Sequence, residues 1–386
     1  MSKDNIYNEF KCIADKCSMT CCKGWAIKVE KNCFDNWKNN SETAYICDSV
    51  KVCKNEGEIN YQMKQTCEKN CVMLDENGLC ELVKKHGDSI LSDTCSEFPR
   101  KHNKVYEEQE DNENIIKEEF SLSGACPEVL RLIEKADDLK KINLSPKCDS
   151  NQEFPMEYRI RNAVIELLQL DDISLDNKLM LSFSLLHECL ECEWEEDVYD
   201  CIEVYQEKEN LIDNILVWNK AKIDEKEALI EVCQTLIDVI QYYKDEAMYK
   251  PYIYGIYDYL DALDESDDTW DELLTEWKSF KKQWSVNEEF ITKVLISEIY
   301  GDCISDDLEY LIENFQSIVT EYIMLRMTVF IKQKISTKIL SDDEIRDYFA
   351  LYIRMIGHNS DGMAEYWEES FEDSILEKEY FYLFLM

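Results

Sequence analysis

The chain has few of the residues that interrupt regular secondary structure. Only nine glycines and five prolines occur in 386 residues, which argues against a turn-rich β architecture and favours long helices with short connections. Basic residues are also scarce, because 42 Lys and Arg stand against 82 Asp and Glu, a net charge of −40. Nucleic acid and anionic lipid both require clustered basic residues, so we expect neither as a partner. An acidic surface would favour a basic partner, although it can also serve solubility alone.

Long apolar segments are missing as well. The first residues contain no hydrophobic stretch of the kind found in signal peptides. The longest apolar run, around Leu179–Leu186, is interrupted by serines and is too short to cross a bilayer. We therefore expect a cytoplasmic protein with no membrane partner, in a compartment that keeps thiols reduced. Nine disulfides are then a poor explanation for the 18 cysteines.

Cysteine is abundant, and its distribution divides the chain. Thirteen of the 18 cysteines lie at or before Cys148, and prolines at 146 and 155 mark a junction between helical patterns. We predict a cysteine-rich domain over 1–145 and an acidic α-helical domain over 155–386. The expected fold class is mainly α, with a cysteine-rich metal- or cluster-binding N-terminal domain followed by an all-helical C-terminal domain. In the first domain we expect helices and irregular loops, with a short strand possible over Trp25–Val29.

Apolar residues recur at helical spacing throughout the second part. Asp172 and the stretch Ser341–Glu344 have the composition of helix N-termini. The predicted helices are Met156–Leu170, Lys178–Leu190, Glu225–Tyr243, Trp270–Trp284, Asn287–Tyr300, Leu308–Ile335 and Asp342–Ile356.

The densest cysteine cluster reads Cys-x4-Cys-x3-Cys-Cys-Lys-Gly-Trp and begins at Cys12. Four thiolates within eleven residues would repel one another or oxidise unless a cation held them, and a soft metal or an iron–sulfur cluster is a suitable holder. A disulfide knot and buried thiols without a ligand remain the alternatives. Downstream, Cys71 and Cys80 flank an Asn-Gly pair, which predicts a tight turn that presents both thiols from its two arms.

Two further segments complete the pattern, Leu-Ser-x-x-Cys-x-x-Phe-Pro-Arg ending at Arg100 and Leu-Ser-x-x-Cys-Pro-Glu around Cys126. With the cluster from Cys12 and the Cys-x8-Cys pair, this order resembles the flagellin lysine-N-methylase family, within the wider group of CxxCxxCC-type cysteine-cluster proteins. The motifs cover about residues 8–135. The helical remainder, including the stretch Arg354–Asn359, is compatible in length and character.

The resemblance implies a protein-lysine N-methyltransferase that depends on an iron–sulfur cluster of the [4Fe–4S] type, with zinc as the alternative metal. It further implies S-adenosylmethionine as methyl donor and a lysine of flagellin, or of a similar protein, as acceptor. Trp25 and Arg100 are the expected cofactor-contacting residues, since a guanidinium suits a negative cluster or the donor carboxylate. The expected metal ligands are Cys12, Cys17, Cys21, Cys22, Cys71, Cys80, Cys95 and Cys126.

Four thiols fill the ligand positions of one [4Fe–4S] cluster or of one tetrahedral zinc ion. Eight thiols therefore imply two metal centres, or some cysteines that bind no metal. Cys189 and Cys192 can face one way on a helix, but small buried thiols are also ordinary core residues. No GxGxxG or GxGxG turn and no Cys-x3-Cys-x2-Cys occurs, so any use of S-adenosylmethionine requires an unconventional scaffold.

Rival functions remain open at this level. The same scaffold could carry a peptide or protein maturase of other chemistry, or a non-enzymatic zinc or iron–sulfur module that binds a basic partner. The four histidines and a run of tyrosines can supply a base or a cation–π cage, although such residues more often only pack. These tyrosines are Tyr242, Tyr243, Tyr249, Tyr252 and Tyr254.

Overall fold

The structure is a computed structural model, and it describes residues 5–24, 27–55, 58–106, 115–139, 142, 154–220, 223–246, 248–263 and 266–385. Within them the chain is mainly helical, as predicted, and no strand occurs after residue 122 in the described part. The predicted junction around residues 143–153 lies outside the described residues, so the domain limits stay a prediction. No described helix is both long enough and apolar enough to cross a bilayer.

The N-terminal part contains short helices and two small sheets. The sequence predicted only a possible strand over Trp25–Val29, and the structure has a strand at Lys28–Val29. Strands at 28–29, 58–63 and 50–55 form one antiparallel sheet in that order, and strands at 100–106 and 115–122 form an antiparallel pair. The helices are α1 (Ile6–Glu9), α2 (Lys31–Asn39), α3 (Glu81–His86), α4 (Asp93–Glu97) and α5 (Pro127–Lys135). The strands are β1 (Lys28–Val29), β2 (Val50–Asn55), β3 (Glu58–Met63), β4 (Arg100–Tyr106) and β5 (Ile115–Leu122).

Twelve helices follow in the described C-terminal part, and each predicted range matches one of them to within three residues at either end. The predicted cap at Asp172 is wrong, because the helix Leu175–Leu190 begins after Ser174, whose hydroxyl accepts from the Asn177 amide. The helices are α6 (Met156–Leu168), α7 (Leu175–Leu190), α8 (Glu195–Gln206), α9 (Lys208–Lys220), α10 (Glu225–Tyr243), α11 (Lys250–Asp261), α12 (Asp267–Trp284), α13 (Glu288–Asp302), α14 (Leu308–Ser336), α15 (Asp342–Met355), α16 (Ser360–Phe371) and α17 (Lys378–Leu385).

The long helix α14 is the centre of the helical body. Every residue from Phe315 to Ile331 is buried, because α7, α10, α11, α13, α15 and α16 surround it. Helix α15 begins with the predicted cap, since Ser341 and Glu344 form a capping box. The packing of α15 against both α14 and α5 brings its last turn to the edge of the cysteine-rich part.

Buried apolar residues form two separate cores. The large core joins the helical body to the first residues of the chain and to the β5–α5 segment, and it includes Ile6, Phe10 and Leu122. The small core lies within residues 27–95, around Trp37 and Ile46. We call the parts of the chain that carry these cores the helical body and the small lobe, and the surface where they meet is the seam.

Candidate active site

The turn predicted between Cys71 and Cys80 is present. The Gly78 amide donates to the carbonyl of Asp75, and Gly78 has φ +76°, a conformation that favours glycine. The Asp75 carboxylate also accepts from the Asn77 and Leu79 amides. This local network folds the segment back on itself, so that the two thiols come from opposite arms.

Four of the predicted ligands converge on the small-lobe side, namely Cys21, Cys71, Cys80 and Cys95, and we call them the first thiol group. Burial raises the pKa of the Cys95 thiol to about 12, and the other three thiols are close enough to raise it further. Burial likewise raises the pKa of Cys71, with Cys80 as a neighbour. Four soft sulfur donors meet the ligand count of one iron–sulfur cluster or one zinc ion.

The second thiol group consists of Cys12, Cys17 and Cys126. Burial raises the pKa of Cys126 to about 12, and the Cys17 thiol adds to that rise. Burial also raises the pKa of Cys17, which has both Cys12 and Cys21 as neighbours. Cys21 therefore lies between the two groups, and its own thiol is hydrogen-bonded to Cys22. The eight predicted ligands gather in one part of the protein.

The thiols of the two groups lie near one another, but they are not arranged in a coordinating geometry. None of the seventeen described cysteines forms a disulfide. Within the described residues, no set of three or more His, Cys, Asp or Glu side chains is arranged so as to hold a metal ion. The donor chemistry suits a soft metal or cluster, and ligation by these cysteines stays a prediction. The pair Cys192 and Cys201 lies elsewhere, with 3.7 Å between the two sulfur atoms.

A single arginine links the thiol groups to the helical body. Arg354, in the last turn of α15, is buried and donates to the carbonyls of Met19 (2.9 Å), Thr20 (3.1 Å) and Ala125 (2.8 Å). Its charge opposes the rise in pKa at the thiols of both groups. The guanidinium thus anchors the cysteine segments at the seam and lies beside their sulfur atoms.

Arg100, the arginine selected from the sequence, lies elsewhere at the start of β4. Its guanidinium contacts the rings of Tyr7 and Phe10 and donates to the Phe10 carbonyl. Trp25 lies outside the described residues. The cofactor roles of both residues stay predictions.

A cavity of about 210 Å³ opens at the seam, and Cys21 forms part of its wall. Lys23, Gly24 and Phe98 are the other lining residues from the cysteine-rich part of the chain. Gly24 has φ +86°, and a Cβ there would lie 2.9 Å from the Met248 sulfur, so this loop can approach the helical body only with glycine. The cavity therefore joins a candidate cluster ligand to residues that are far away in sequence.

Three tyrosines from the predicted run line the cavity on the wall that the helical body supplies, Tyr242 and Tyr243 at the end of α10 and Tyr249 before α11. The ring centroids of Tyr242 and Tyr243 are 4.8 Å apart at 70°, and those of Tyr243 and Tyr249 are 5.4 Å apart at 86°. Burial raises the pKa of Tyr249 to about 12, so its phenol stays neutral. The described cavity lining contains neither Tyr252 nor Tyr254.

Glu246, His358 and Asn359 supply the polar groups of this wall. His358 is exposed by its accessible surface, although the protein atoms around the ring still desolvate it. Together with the charges of Lys101 and Arg354, this desolvation lowers its pKa to about 4. The imidazole is therefore neutral at physiological pH and can accept a proton or a hydrogen bond.

The segment that carries His358 is held in place by the buried carboxyl group of Glu321. Glu321 of α14 accepts from the Gly357 amide, and a Cβ at Gly357 would lie 2.5 Å from the Glu321 oxygen. Burial and the nearby Glu298 and Asp302 charges raise the pKa of Glu321 well above its usual value. The buried Glu321 side chain thus holds the turn between α15 and α16 through the Gly357 amide.

Sequence reasoning did not select Arg354, Glu246, His358 or Asn359 as site residues. Three of them belong to the stretch Arg354–Asn359, in which Gly357 at the helix end and the polar pair after it were the available signal. Glu246 had no local signal, because it is one of 82 acidic residues. Its position at the cavity depends on tertiary packing alone.

Comparison with known proteins agrees with this architecture. A sequence model described as the FliB lysine N-methylase C-terminal domain matches residues 161–384. A lysine-N-methylase of Salmonella choleraesuis is 34% identical over 161 residues, which are 40% of this chain and 38% of that protein. A lysine-N-methylase of Salmonella typhimurium is 33% identical over 161 residues, which are again 40% of this chain and 38% of that protein. The flagellar biosynthetic protein FliU of Salmonella muenchen is 35% identical over 124 residues, 31% of this chain and 68% of FliU.

The matched region thus spans 38% of the length of the two lysine-N-methylases. No solved structure matches the chain. The family model covers more than half of the 386 residues, and it confirms the resemblance that the cysteine motifs indicated. The chain belongs to the FliB lysine N-methylase family.

Proposed function

We propose that the protein transfers a methyl group to lysine side chains of flagellin or of a similar protein, with S-adenosylmethionine as donor and with dependence on an iron–sulfur centre. The observation that carries the proposal is the cavity at the seam, where a candidate cluster ligand, Cys21, and a wall of tyrosines and polar groups face one space. The names of the relatives supply the reaction class and the flagellar link.

The residues present suit each requirement of the reaction. The eight predicted cysteines would hold the inorganic centre, with the first thiol group providing a complete set of four donors. S-adenosylmethionine supplies an electrophilic methyl group when bound. The buried Tyr243 and Tyr249 limit water around the amine on their side, and such desolvation disfavours the charged ammonium form.

The lysine nitrogen must lose its proton before it can attack. Two groups in the cavity can accept that proton, the neutral imidazole of His358 and the carboxylate of Glu246. Fixed walls then hold the amine in the attacking orientation, which can contribute on the order of 7 kcal/mol to lowering the barrier.

The test is incubation of anaerobically purified protein with S-adenosylmethionine and flagellin, followed by intact-mass measurement and peptide mapping. Methyl groups on lysine are expected with the wild type and with Cys233→Ala, a thiol buried in the helical body. We expect Cys95→Ala to lose most of the activity. A protein that holds only zinc and adds no methyl group to any lysine-bearing protein would contradict the proposal and favour a structural module.

A further inference from the structure

The carboxylate of Glu246 uses only one of its two oxygens within the described structure. Its Oε1 forms an ion pair with the ammonium of Lys69 across the seam. Its Oε2 is buried and has no hydrogen-bond partner among the described residues, although the side chain lines the cavity. Buried carboxylate oxygens are normally satisfied, so an unsatisfied one at a cavity wall indicates a place for a donor from a ligand.

The rings beside Glu246 favour a cationic donor. Tyr242, Tyr243 and Tyr249 are inclined at steep angles to one another, so the cavity is bordered by ring surfaces in different orientations. A cation within about 6 Å of a ring centroid is attracted by the negative face of the ring, and this attraction is stronger when water is excluded. Tyr243 and Tyr249 are buried, which limits water on this side.

Two cations also line the cavity, and both belong to the cysteine side by their bonding or sequence position. Arg354 donates to the carbonyls of Met19, Thr20 and Ala125, and Lys23 follows the thiol run directly. The charge of Arg354 also reaches Tyr249 and His358. Glu246 is the acidic residue of the described cavity lining, so an incoming ammonium is attracted to the end of the cavity that holds this carboxylate.

We propose that this end of the cavity is an ammonium subsite in which Glu246 Oε2 accepts a hydrogen bond from the terminal amine of the substrate lysine, between the faces of Tyr242, Tyr243 and Tyr249. The proposal rests on the function proposed above and names the residues that would recognise the acceptor. Lys69 is a positioning residue, because its ion pair fixes the carboxylate with the second oxygen left for the ligand. Release of the proton to the carboxylate or to His358 then frees the lone pair of the nitrogen.

Calorimetric titration of the anaerobically purified full chain tests this subsite. The probes are acetyl-lysine methylamide and the matching norleucine compound, which has an apolar side chain and no amine. We expect the lysine compound to bind at least about tenfold more tightly than the norleucine compound. Glu246→Gln should weaken binding of the lysine compound at least about tenfold and leave the norleucine compound unchanged.

Asp245→Asn is the matched control, since it removes the same charge from an exposed neighbour outside the described cavity lining and should bind like the wild type. Tyr242→Ala is the second variant, because this side chain is 72% exposed and its loss cannot disturb a core. We expect it to weaken lysine binding about threefold. If Glu246→Gln is folded and binds as the wild type does, the subsite is refuted; if it does not fold, wild-type affinity in Tyr242→Ala refutes it.

The methylation assay separates this inference from the proposed function. If the wild type binds the lysine compound through Glu246 but methylates no protein, the ammonium subsite stands and the methyltransferase proposal fails. If the wild type methylates flagellin and Glu246→Gln retains full kcat/KM, the reaction stands and the subsite is wrong.

Discussion

The helical body and the small lobe differ in how much apolar surface they bury. The core of the helical body runs from Ile6 to Leu385 and surrounds α14 on all sides. The small lobe spans residues 27–95 and has a core of nine described residues, two of which are methionine and one cysteine. Regions of this size rarely fold on so little burial without cross-links or a bound metal. An inorganic centre held by the thiols, as proposed above, would supply part of the stability that the small core lacks.

Two contacts that hold the cysteine-rich part on the helical body differ in burial. Arg354 is buried and bonds to the carbonyls of Met19, Thr20 and Ala125, two of which belong to the large core. The Lys69–Glu246 ion pair crosses the seam and connects an ammonium that is 54% exposed to a partly buried carboxylate. Buried hydrogen bonds to a charged group stabilise far more than exposed ion pairs. Attachment of the cysteine segments should therefore depend on Arg354. Lys69 should affect the position of the Glu246 carboxylate in the cavity.

The largest expected effects come from replacing one leucine in each of the two cores. Leu325→Ala in α14 should lower the free energy of unfolding by about 4 kcal/mol, because a fully buried side chain leaves a cavity. Leu82→Ala should instead increase hydrogen exchange across residues 27–95 while α14 stays protected. Mass spectrometry of deuterated peptides distinguishes the two cases. Equal loss of protection in both parts would show that they unfold as one unit.

The next effect concerns Arg354. Arg354→Ala should destabilise the protein by about 3 kcal/mol, since three carbonyls lose a charged donor and such losses are not additive. Urea unfolding measures the loss. Arg131→Ala is the control, because its side chain is 36% exposed and pairs with Glu128 on the same helix, and it should cost less than about 1 kcal/mol. Similar values for both variants would refute the anchoring role.

A smaller effect depends on pH. The folded pKa of His358, about 4, is lower than its usual 6.5, so the unfolded chain binds more protons between these values. The contribution of this residue to stability is therefore complete above pH 6.5 and is lost as the pH falls toward 4. We expect wild-type stability to fall more steeply over this interval than that of His358→Gln. Parallel curves would contradict a desolvated imidazole at this position.

The smallest expected effect is at Lys69. Lys69→Ala should change the free energy of unfolding by less than about 1 kcal/mol, because an exposed ion pair is screened by water and salt. Thermal unfolding at low and high salt measures it. A loss above about 2 kcal/mol would mean that this ion pair is a main link between the small lobe and the helical body.

The sequence predicted the helices well because their apolar spacing is a local property. Glu225–Tyr243 matches α10 at both ends, and the cap at Ser341 is present as expected. The strands were harder to recognise, since β4 alternates little and keeps mostly exposed or half-buried side chains. The strand β4 forms because it pairs with β5 and because both strands pack against α13.

The candidate site was predictable only on its cysteine side. The thiols from Cys12 to Cys126 carry recognisable spacing, and the structure brings them together. The opposite wall takes Glu246, Tyr249 and His358 from three different places in the helical body. No local pattern marks such residues, because the packing of α10, α11 and α15 around α14 creates their proximity.

The most direct test of the account is analysis of iron and acid-labile sulfide in the anaerobically purified chain and in three cysteine variants. The account predicts iron and sulfide in the wild type, a marked loss in Cys95→Ala from the first thiol group, and wild-type content in Cys233→Ala. Full iron and sulfide content in both Cys95→Ala and Cys21→Ala, or none in the wild type, would contradict it.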